Sequence, residues 1–383
     1  MSHLLLEIVE IIAAVLAISS VAYYLLCLWS AAGFRRSAKA ATGGHTPGVS
    51  ILKPLKGTDP EMYDSFRSHC LLDYPEYEII FGVSDSQDPA LELVSRLCTE
   101  FPSRAIRSIV CTETLGTNTK VSNLAQMVRE ARHEYLIVND SDIRVEPHYL
   151  RRVIAPLSDP QVGLVTCLYR GIPNETLGSK LESLGISTDF CPGVLVARQL
   201  EGVNFGLGST LAFRRGDLQA IGGFESLADY LADDYQIGRQ IADKGLRVEL
   251  PDVVVETFLP RYSMSEFFSH QLRWARTIRD SRFWGYVGLG MTFGVPWSLL
   301  TLIAARGAEW AWGLLAATLV ARFAVAMCVG RSVLKDRFVS KALLLVPVRD
   351  VIALAVWVLS FAGHTVEWRG KSFRLKDGKL DPA

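Results

Sequence analysis

Asp140 and Asp142 stand two residues apart at the end of the run Tyr135-Leu136-Ile137-Val138-Asn139. Four apolar residues of strand type running straight into two carboxylates is the pattern of a strand that ends at a polar site. Successive strand residues point to opposite faces, so the two acids share a face only if the strand continues through Ser141. If the chain turns there, one carboxylate can meet a bound ligand and the other a metal. Hard divalent cations such as Mg2+ and Mn2+ take oxygen ligands, commonly one or two carboxylates completed by substrate phosphates. A solvated turn after a strand looks the same in isolation, so the pair needs company.

Company is available. Asp85 and Asp88 follow another strand-like run, although Asp85 is also a turn residue and Asp88, before Pro89, also suits a helix N-cap. Lys120 closes Gly116-Thr117-Asn118-Thr119-Lys120, where a cation beside a glycine-containing loop suits a nucleotide as well as an ordinary first helical turn. Asp233-Asp234-Tyr235 opens an amphipathic helix closing at Gly245. Acids in a first turn are favoured by the helix dipole alone. A carboxylate beside a second carboxylate, or in a dry cleft, also gains proton affinity, which suits a general base acting on a hydroxyl. Further on, Ser263 and Glu266 form a capping box for a helix over residues 262–284. His270, Arg273, Arg276, Arg279 and Arg282 recur there every third residue among Phe267, Phe268, Leu272, Trp274 and Ile278. That mixture reads as a helix lying at a membrane interface, with phosphate or acceptor binding as a compatible second role.

The elements that must position these groups alternate. Strands are expected at 49–53, 77–83, 106–111, 135–138 and 162–168, and helices at 88–101, 120–132 and from Glu146-Pro147 onward. Such alternation predicts an α/β domain with a doubly wound, mostly parallel sheet, whose ligands bind at the carboxyl ends of the strands. Asp85, Asp88, Asp140 and Asp142 all follow strands and are expected in one cleft.

The 383 residues are 49% hydrophobic with zero formal net charge, which removes any argument for nucleic acid. Seven dispersed cysteines lack metal-binding spacing and read as reduced thiols facing a cytosol. Residues 11–29 carry no charge and are long enough to cross a bilayer, with Arg35, Arg36 and Lys39 following, so the amino-terminus is expected outside and the next domain inside. Residues 283–304, 310–330 and 343–363 are further hydrophobic segments, the second containing Arg322 and the third Arg349 and Asp350. Strict counting puts the tail outside, yet Trp368-Arg369-Gly370-Lys371-Ser372-Phe373-Arg374 is basic and asks to be inside, so either one hydrophobic segment is a re-entrant or interfacial pair or the tail breaks the rule. Residues 191–213 are apolar, but Arg198 and Glu201 argue for a domain floor rather than a span.

Taken in order, Val49-Ser50-Ile51-Leu52-Lys53-Pro54-Leu55-Lys56-Gly57, Leu72-Asp73-Tyr74-Pro75, Asp85 with Asp88-Pro89, Lys120 with Asn123-Leu124, Asp140-Ser141-Asp142-Ile143-Arg144-Val145, Ala232-Asp233-Asp234-Tyr235 and Arg273-Trp274 resemble the ceramide glucosyltransferase family. This is a membrane-bound branch of GT-A, family 2-like inverting glycosyltransferases that includes bacterial hopanoid-biosynthesis members. The resemblance runs from the first span to Trp368-Arg369-Gly370. It implies a GT-A-like cytosolic domain over 33–262, between an amino-terminal transmembrane helix (1–32) and an interface helix (263–283), then a transmembrane region (284–366) and a basic tail (367–383). It places donor-nucleotide binding on Asp85, Asp88, Lys120 and Asp140, a divalent metal (Mg2+ or Mn2+) on Asp140 and Asp142, and the general base on Asp234. The family's Gln/Arg-x-x-Arg-Trp signature falls on His270, Gln271, Arg273 and Trp274, toward the diphosphate or acceptor, with His270 departing from it. The implied reaction moves a hexose or N-acetylhexosamine from a UDP-sugar to a membrane lipid hydroxyl, ceramide-like or hopanoid, in a bacterial inner membrane. A processive polysaccharide synthase and a metal-dependent lipid phosphohydrolase are the alternatives.

Overall fold

The computed structural model describes residues 2–37, 44–368 and 371–382; Lys39, Arg369 and Gly370 lie outside them. The central sheet has seven strands, β1 (Val49–Pro54), β2 (Tyr77–Val83), β3 (Ala105–Val110), β4 (Tyr135–Val138), β6 (Val162–Thr166), β8 (Leu211–Arg214) and β9 (Arg247–Glu249), in the order β3-β2-β1-β4-β8-β6-β9. A small second sheet is ordered β5 (Ile143–Arg144), β10 (Val254–Phe258), β7 (Leu168–Ile172). The pairs β2–β3, β1–β2, β1–β4 and β6–β9 are parallel, and β8 alone runs against its two neighbours. The sheet is therefore the mostly parallel one that the strand–helix alternation predicts. The inner strands β1, β2 and β4 are buried on both faces, with Ile51, Leu52, Ile79, Ile80, Leu136 and Ile137 fully covered, which is why they read as continuous apolar runs.

Several boundaries differ from expectation for local reasons. The helix expected at 88–101 is Ala90–Glu100, because Asp88 spends its carboxylate on the backbone N–H of Ala90, 2.9 Å away. Asn118 caps Thr119–Glu130. The helix expected at Glu146-Pro147 starts at Tyr149 and lasts six residues. The strand expected at 162–168 is cut at Cys167, its two halves joining different sheets. Residues 191–213 comprise a helix, Cys191–Glu201, and β8. That helix floors the domain against the amino-terminal helix Ser2–Ser37, where the Arg198 guanidinium lies 5.3 Å from the Phe34 ring centre.

Among the described residues three helices are long and apolar enough to cross a membrane: His3–Ser37, Glu309–Val333 and Leu343–Ser360. A fourth segment, Phe283–Thr292 with Gly294–Ala304, bends by 53° at its break. The carboxyl-terminal third of the first helix is sewn into the domain core through Cys27, Ala31 and Phe34. The expected helix over 262–284 is Met264–Ser281 with its Ser263/Glu266 capping box, broken at Arg282. The tail forms a third sheet, β11 (Thr365–Trp368), β12 (Lys371–Lys376) and β13 (Lys379–Pro382).

Candidate active site

The carboxyl ends of β1 and β4 open onto one cleft. After Val138 the chain turns at once, and the Asn139 amide anchors the turn by donating to the Ser209 carbonyl (2.7 Å) and to the Tyr149 hydroxyl (3.0 Å). Lys53, at the end of β1, is fully buried and donates to the Asp140 carbonyl at 2.9 Å. Burial pushes its ammonium down to about 7, against the pull of Asp142 and Asp140. Asp140 and Asp142 consequently diverge. The Asp140 carboxylate, its side chain 40% exposed, faces the cleft and pairs with Lys120 Nζ at 2.8 Å. Asp142 turns inward and accepts from the Thr257 hydroxyl. Burial first, and repulsion from Asp140 second, lift Asp142 to about 6.

The helix Asp233–Asp243 delivers its first turn to the same place. Lys120 Nζ lies 3.4 Å from Asp233 Oδ2, an ion pair rather than a hydrogen bond. Burial alone would lower the Lys120 ammonium, but Asp140 and Asp233 together raise it. Asp234 Oδ1 accepts from the N–H of Tyr235 at 2.8 Å. Desolvation, then the Asp233 charge, lift Asp234 to about 6 against the pull of Lys120. Gly208 fixes how close the acids come: a Cβ there would sit 3.1 Å from Asp234 Oδ2 and 3.4 Å from Asp140 Oδ2. Two carboxylates from segments almost a hundred residues apart therefore flank Gly208, and a side chain there would press on both.

Asp88 joins from the side. Its carboxylate accepts from the N–H of Gly57 (2.9 Å) as well as that of Ala90, and two residues beyond Gly57 the Asp59 carboxylate accepts from Ser141. The 55–59 loop thus ties Asp88 to the Asp140 turn. Asp85 stays in its own exposed turn, accepting from the N–H of Gln87 at 2.9 Å.

The Met264–Ser281 helix approaches through different partners. His270 Nδ1 lies 3.3 Å from the buried Glu182, and its ring stacks on Tyr262 with centres 5.3 Å apart. Gln271 donates to Glu182 at 2.7 Å and accepts from Arg349 at 2.6 Å. Desolvation acts to raise Glu182, yet His270, Arg349 and Gln271 hold it below its ordinary value. Trp274 packs against Phe190, which packs against Tyr169, and Tyr169 feels the charges of both Asp234 and Glu182. Arg273 and Asp142 both act on the Tyr262 hydroxyl, so this helix borders the aspartate cleft through Tyr262 and Tyr169.

Sequence reasoning missed Lys53, Asp59, Gly208, Glu182 and Thr257 as members of this neighbourhood. Lys53 sat in a quoted motif, and the Gly206-Leu207-Gly208 spacing ahead of β8 signalled close backbone approach; nothing marked Glu182 or Thr257. Among the described residues no set of three or more His, Cys, Asp or Glu side chains gathers as a metal site. Asp140 presents one carboxylate to the cleft, which suits a hard cation taking its remaining ligands from phosphate, whereas Asp142 is turned inward and would join it only by releasing the Thr257 hydroxyl. A cation would also relieve the mutual repulsion that lifts Asp142.

The profile of glycosyl transferase family 21 matches residues 12–381. Ceramide glucosyltransferase 3 of Caenorhabditis elegans is 26% identical over 244 residues, 63% of this chain and 53% of that protein. The ceramide glucosyltransferase of Candida albicans is 30% identical over 123 residues, 29% of this chain and 23% of that one. The chain spans about half the length of the first of these, and less of the second. A mannosyltransferase from Pyrobaculum calidifontis, solved with GDP-Man and Mn2+, superposes with a TM-score of 0.58 at 20% identity, covering 92% of this chain and 98% of its own. That likeness establishes a GT-A-like fold.

Proposed function

The chain belongs to glycosyl transferase family 21, and on that premise we propose that it moves a hexose or N-acetylhexosamine from a UDP-sugar to the hydroxyl of a membrane lipid, ceramide-like or hopanoid. The observation that carries this reading is the convergence of Asp140, Lys120 and Asp234 around Gly208. The nucleotide enters at the carboxyl ends of β1, β2 and β4, bordered by Asp85, Asp88 and Asp140. Lys120 lies within reach of the leaving diphosphate and offsets its developing charge. A divalent metal, Mg2+ or Mn2+, held by Asp140 and Asp142, would neutralise the diphosphate further. Support for it comes from the two carboxylates and from the Mn2+ in the mannosyltransferase of the same fold.

Asp234 takes the proton of the acceptor hydroxyl as that oxygen attacks the anomeric carbon. Its raised proton affinity suits it to the task near neutral pH. The mechanism needs only one base and forms no covalent sugar–enzyme bond, so the anomeric centre inverts, by the geometry that separates inverting from retaining hydrolases. Arg273 and Trp274, with His270 and Gln271 behind them on Glu182, border the side where diphosphate and acceptor meet. The apolar helices below deliver the lipid hydroxyl, so bilayer burial supplies acceptor affinity while the donor arrives from water. We place this domain on the cytoplasmic side of a bacterial inner membrane.

The test is to incubate membranes containing the protein with several labelled sugar nucleotides and identify the labelled lipid. A labelled glycolipid that requires Asp234 and a divalent cation is expected. Phosphate release without sugar transfer would instead identify a lipid phosphohydrolase, and long labelled polymer a processive synthase.

A further inference from the structure

Composition makes Leu343–Ser360 a crossing helix, at 18 residues with mean hydropathy 2.0. Its neighbours place it differently. The charged helix Met264–Ser281 runs alongside it: Arg349 donates to Gln271 near one end, and Arg279 donates to the Ser360 carbonyl at the other. Contacts in that order make the two helices parallel. Met264–Ser281 carries Arg273, Arg276, Arg279 and Asp280 within about two turns, a density that hydrocarbon excludes. Its Phe267 is fully buried and its Trp274 packs on the domain core. That helix lies flat beneath the domain, and a helix parallel to it lies flat as well.

The ends agree. At the start, Val346 packs with Leu184 of the domain, and Gly185 lacks a side chain where the Arg349 guanidinium passes, its Nη2 2.6 Å from where a Cβ would be. Beyond Ser360 the chain goes directly into the tail sheet. The β12–β13 hairpin there binds the domain through Leu231 N–H to the Gly378 carbonyl (3.1 Å) and Leu380 N–H to the Asp229 carbonyl (2.8 Å). An 18-residue crossing would separate these ends by ~27 Å along the membrane normal; instead the start rests on the domain and the chain that follows Ser360 returns to it through the hairpin. The outward face, Val348, Val351, Val358 and Leu359, is about half exposed, and Leu344 is 84% exposed. These positions share one side of a helix. Trp284 is 81% exposed on the segment whose Tyr286 packs with Val356 of this helix, and the neighbouring bundle of Ser2–Ser37, Gly294–Ala304 and Glu309–Val325 is pinned where Ser20 donates to the Met291 carbonyl at 2.6 Å. Arg337 and Lys341 precede the helix.

We propose that Leu343–Ser360 lies in the plane of the cytoplasmic leaflet as the bilayer-docking face of the catalytic domain, with its apolar side among acyl chains and the flanking basic residues at anionic head groups. The inference rests on the chain spanning a membrane through its other helices. It also removes the conflict over the tail: with one segment lying flat, the basic tail returns to the domain's own side.

The test uses the full chain in liposomes containing anionic lipid, with Cys98 and Cys328 changed to Ser because the other five cysteines are buried. Nitroxide labels are placed singly at Leu344→Cys, Val351→Cys and Val358→Cys, and their depth is read from collisions with oxygen and with a polar nickel chelate. Retained melting behaviour qualifies each variant. The three labels are expected at one depth, within about 5 Å, whereas a crossing helix would spread 344 and 358 over ~21 Å. Labels at Trp312→Cys and Val320→Cys serve as the internal standard, expected to differ by ~12 Å. A depth gradient from 344 to 358 overturns the proposal. Absence of a gradient from 312 to 320 overturns the membrane-spanning reading beneath it, and the proposal with it.

Discussion

Replacing Asp234 by Asn separates a catalytic carboxylate from a structural one, because the two roles predict opposite changes in stability. Folding lifts Asp234 from 3.8 to about 6, which at ~1.4 kcal/mol per unit amounts to about 3 kcal/mol. The sign follows from proton binding. The folded chain holds this proton more tightly than the unfolded chain, so stability declines as pH rises from about 4 to about 6, and at pH 7 the penalty is fully present. Asn carries no charge, so Asp234→Asn is expected to stabilise the protein at pH 7 by ~1–3 kcal/mol, with the gain vanishing toward pH 4. Lys120 keeps Asp140 and Asp233 as partners in the variant. Turnover is expected to fall ~10²–10⁴-fold, the usual contribution of a positioned base. In the parent, activity should be retained above about pH 6 and fall roughly tenfold per unit below it. The assays are single-turnover sugar transfer from pH 5 to 8, donor titration, and thermal melting in detergent at pH 5 and 7. Lost turnover with unchanged donor binding and a raised melting point is the expected set. Retained turnover, or lost turnover with a lowered melting point, would refute the assignment of Asp234 as an unsupported charge kept for proton transfer.

Two further outcomes follow from named contacts. Gly208 has no left-handed backbone to satisfy, so Gly208→Ala acts only through its new Cβ, 3.1 Å from Asp234 and 3.4 Å from Asp140. Displacing the carboxylates by a few tenths of an ångström should cut kcat about tenfold or more while leaving the melting point in place, since small misplacements are costly in transfer reactions. Arg322, buried, donates to Asp350 at 2.6–3.1 Å and to the Thr188 carbonyl at 2.8 Å. Arg322→Met should destabilise by ~3–5 kcal/mol by stranding Asp350, and Arg322→Met/Asp350→Leu should recover much of that, as read from melting in detergent.

What the sequence disclosed, and what it withheld, follows the range of the interactions. β2 and β4 are readable because β-branched and aromatic residues run unbroken between turn signals, and a strand buried on both faces needs no alternation. Asp140 and Lys120 are readable because each sits where a strand or a loop gives way to a polar end. The split at Cys167 is not readable, since both halves are apolar and only the partners that they find across the chain decide the sheet. Nor is Glu182, whose surroundings of His270, Gln271 and Arg349 come from positions 88 to 167 residues away. The basic tail hints at one segment that does not cross, but which one is not readable: hydropathy measures what a helix tolerates, whereas its direction is set by what it packs against.

The position of Asp234 illustrates the same dependence at the centre of the site. The 228–234 segment has little regular structure of its own, and it is held from three sides. The Gly116–Lys120 turn grips it through Asn118 N–H to the Ala228 carbonyl (2.7 Å) and Thr117 N–H to Asp229 (2.9 Å). The β12–β13 hairpin holds Asp229 and Leu231 from the other flank, with Lys379 5.2 Å from the Tyr230 ring centre. Gly206 N–H meets the Asp234 carbonyl at 3.2 Å beneath. The hairpin is tied in turn to the helix Met264–Ser281, since Gly378 N–H donates to Asp280. Unfavourable proximity among Asp140, Asp233 and Asp234 would drive a free loop apart; a loop clamped by the donor-side turn, the sheet and the tail cannot relax that way. The raised proton affinity of Asp234 is thus sustained by constraints supplied from the middle of the chain and from its tail, which is why a tail beyond the last helix belongs with the aspartate cluster.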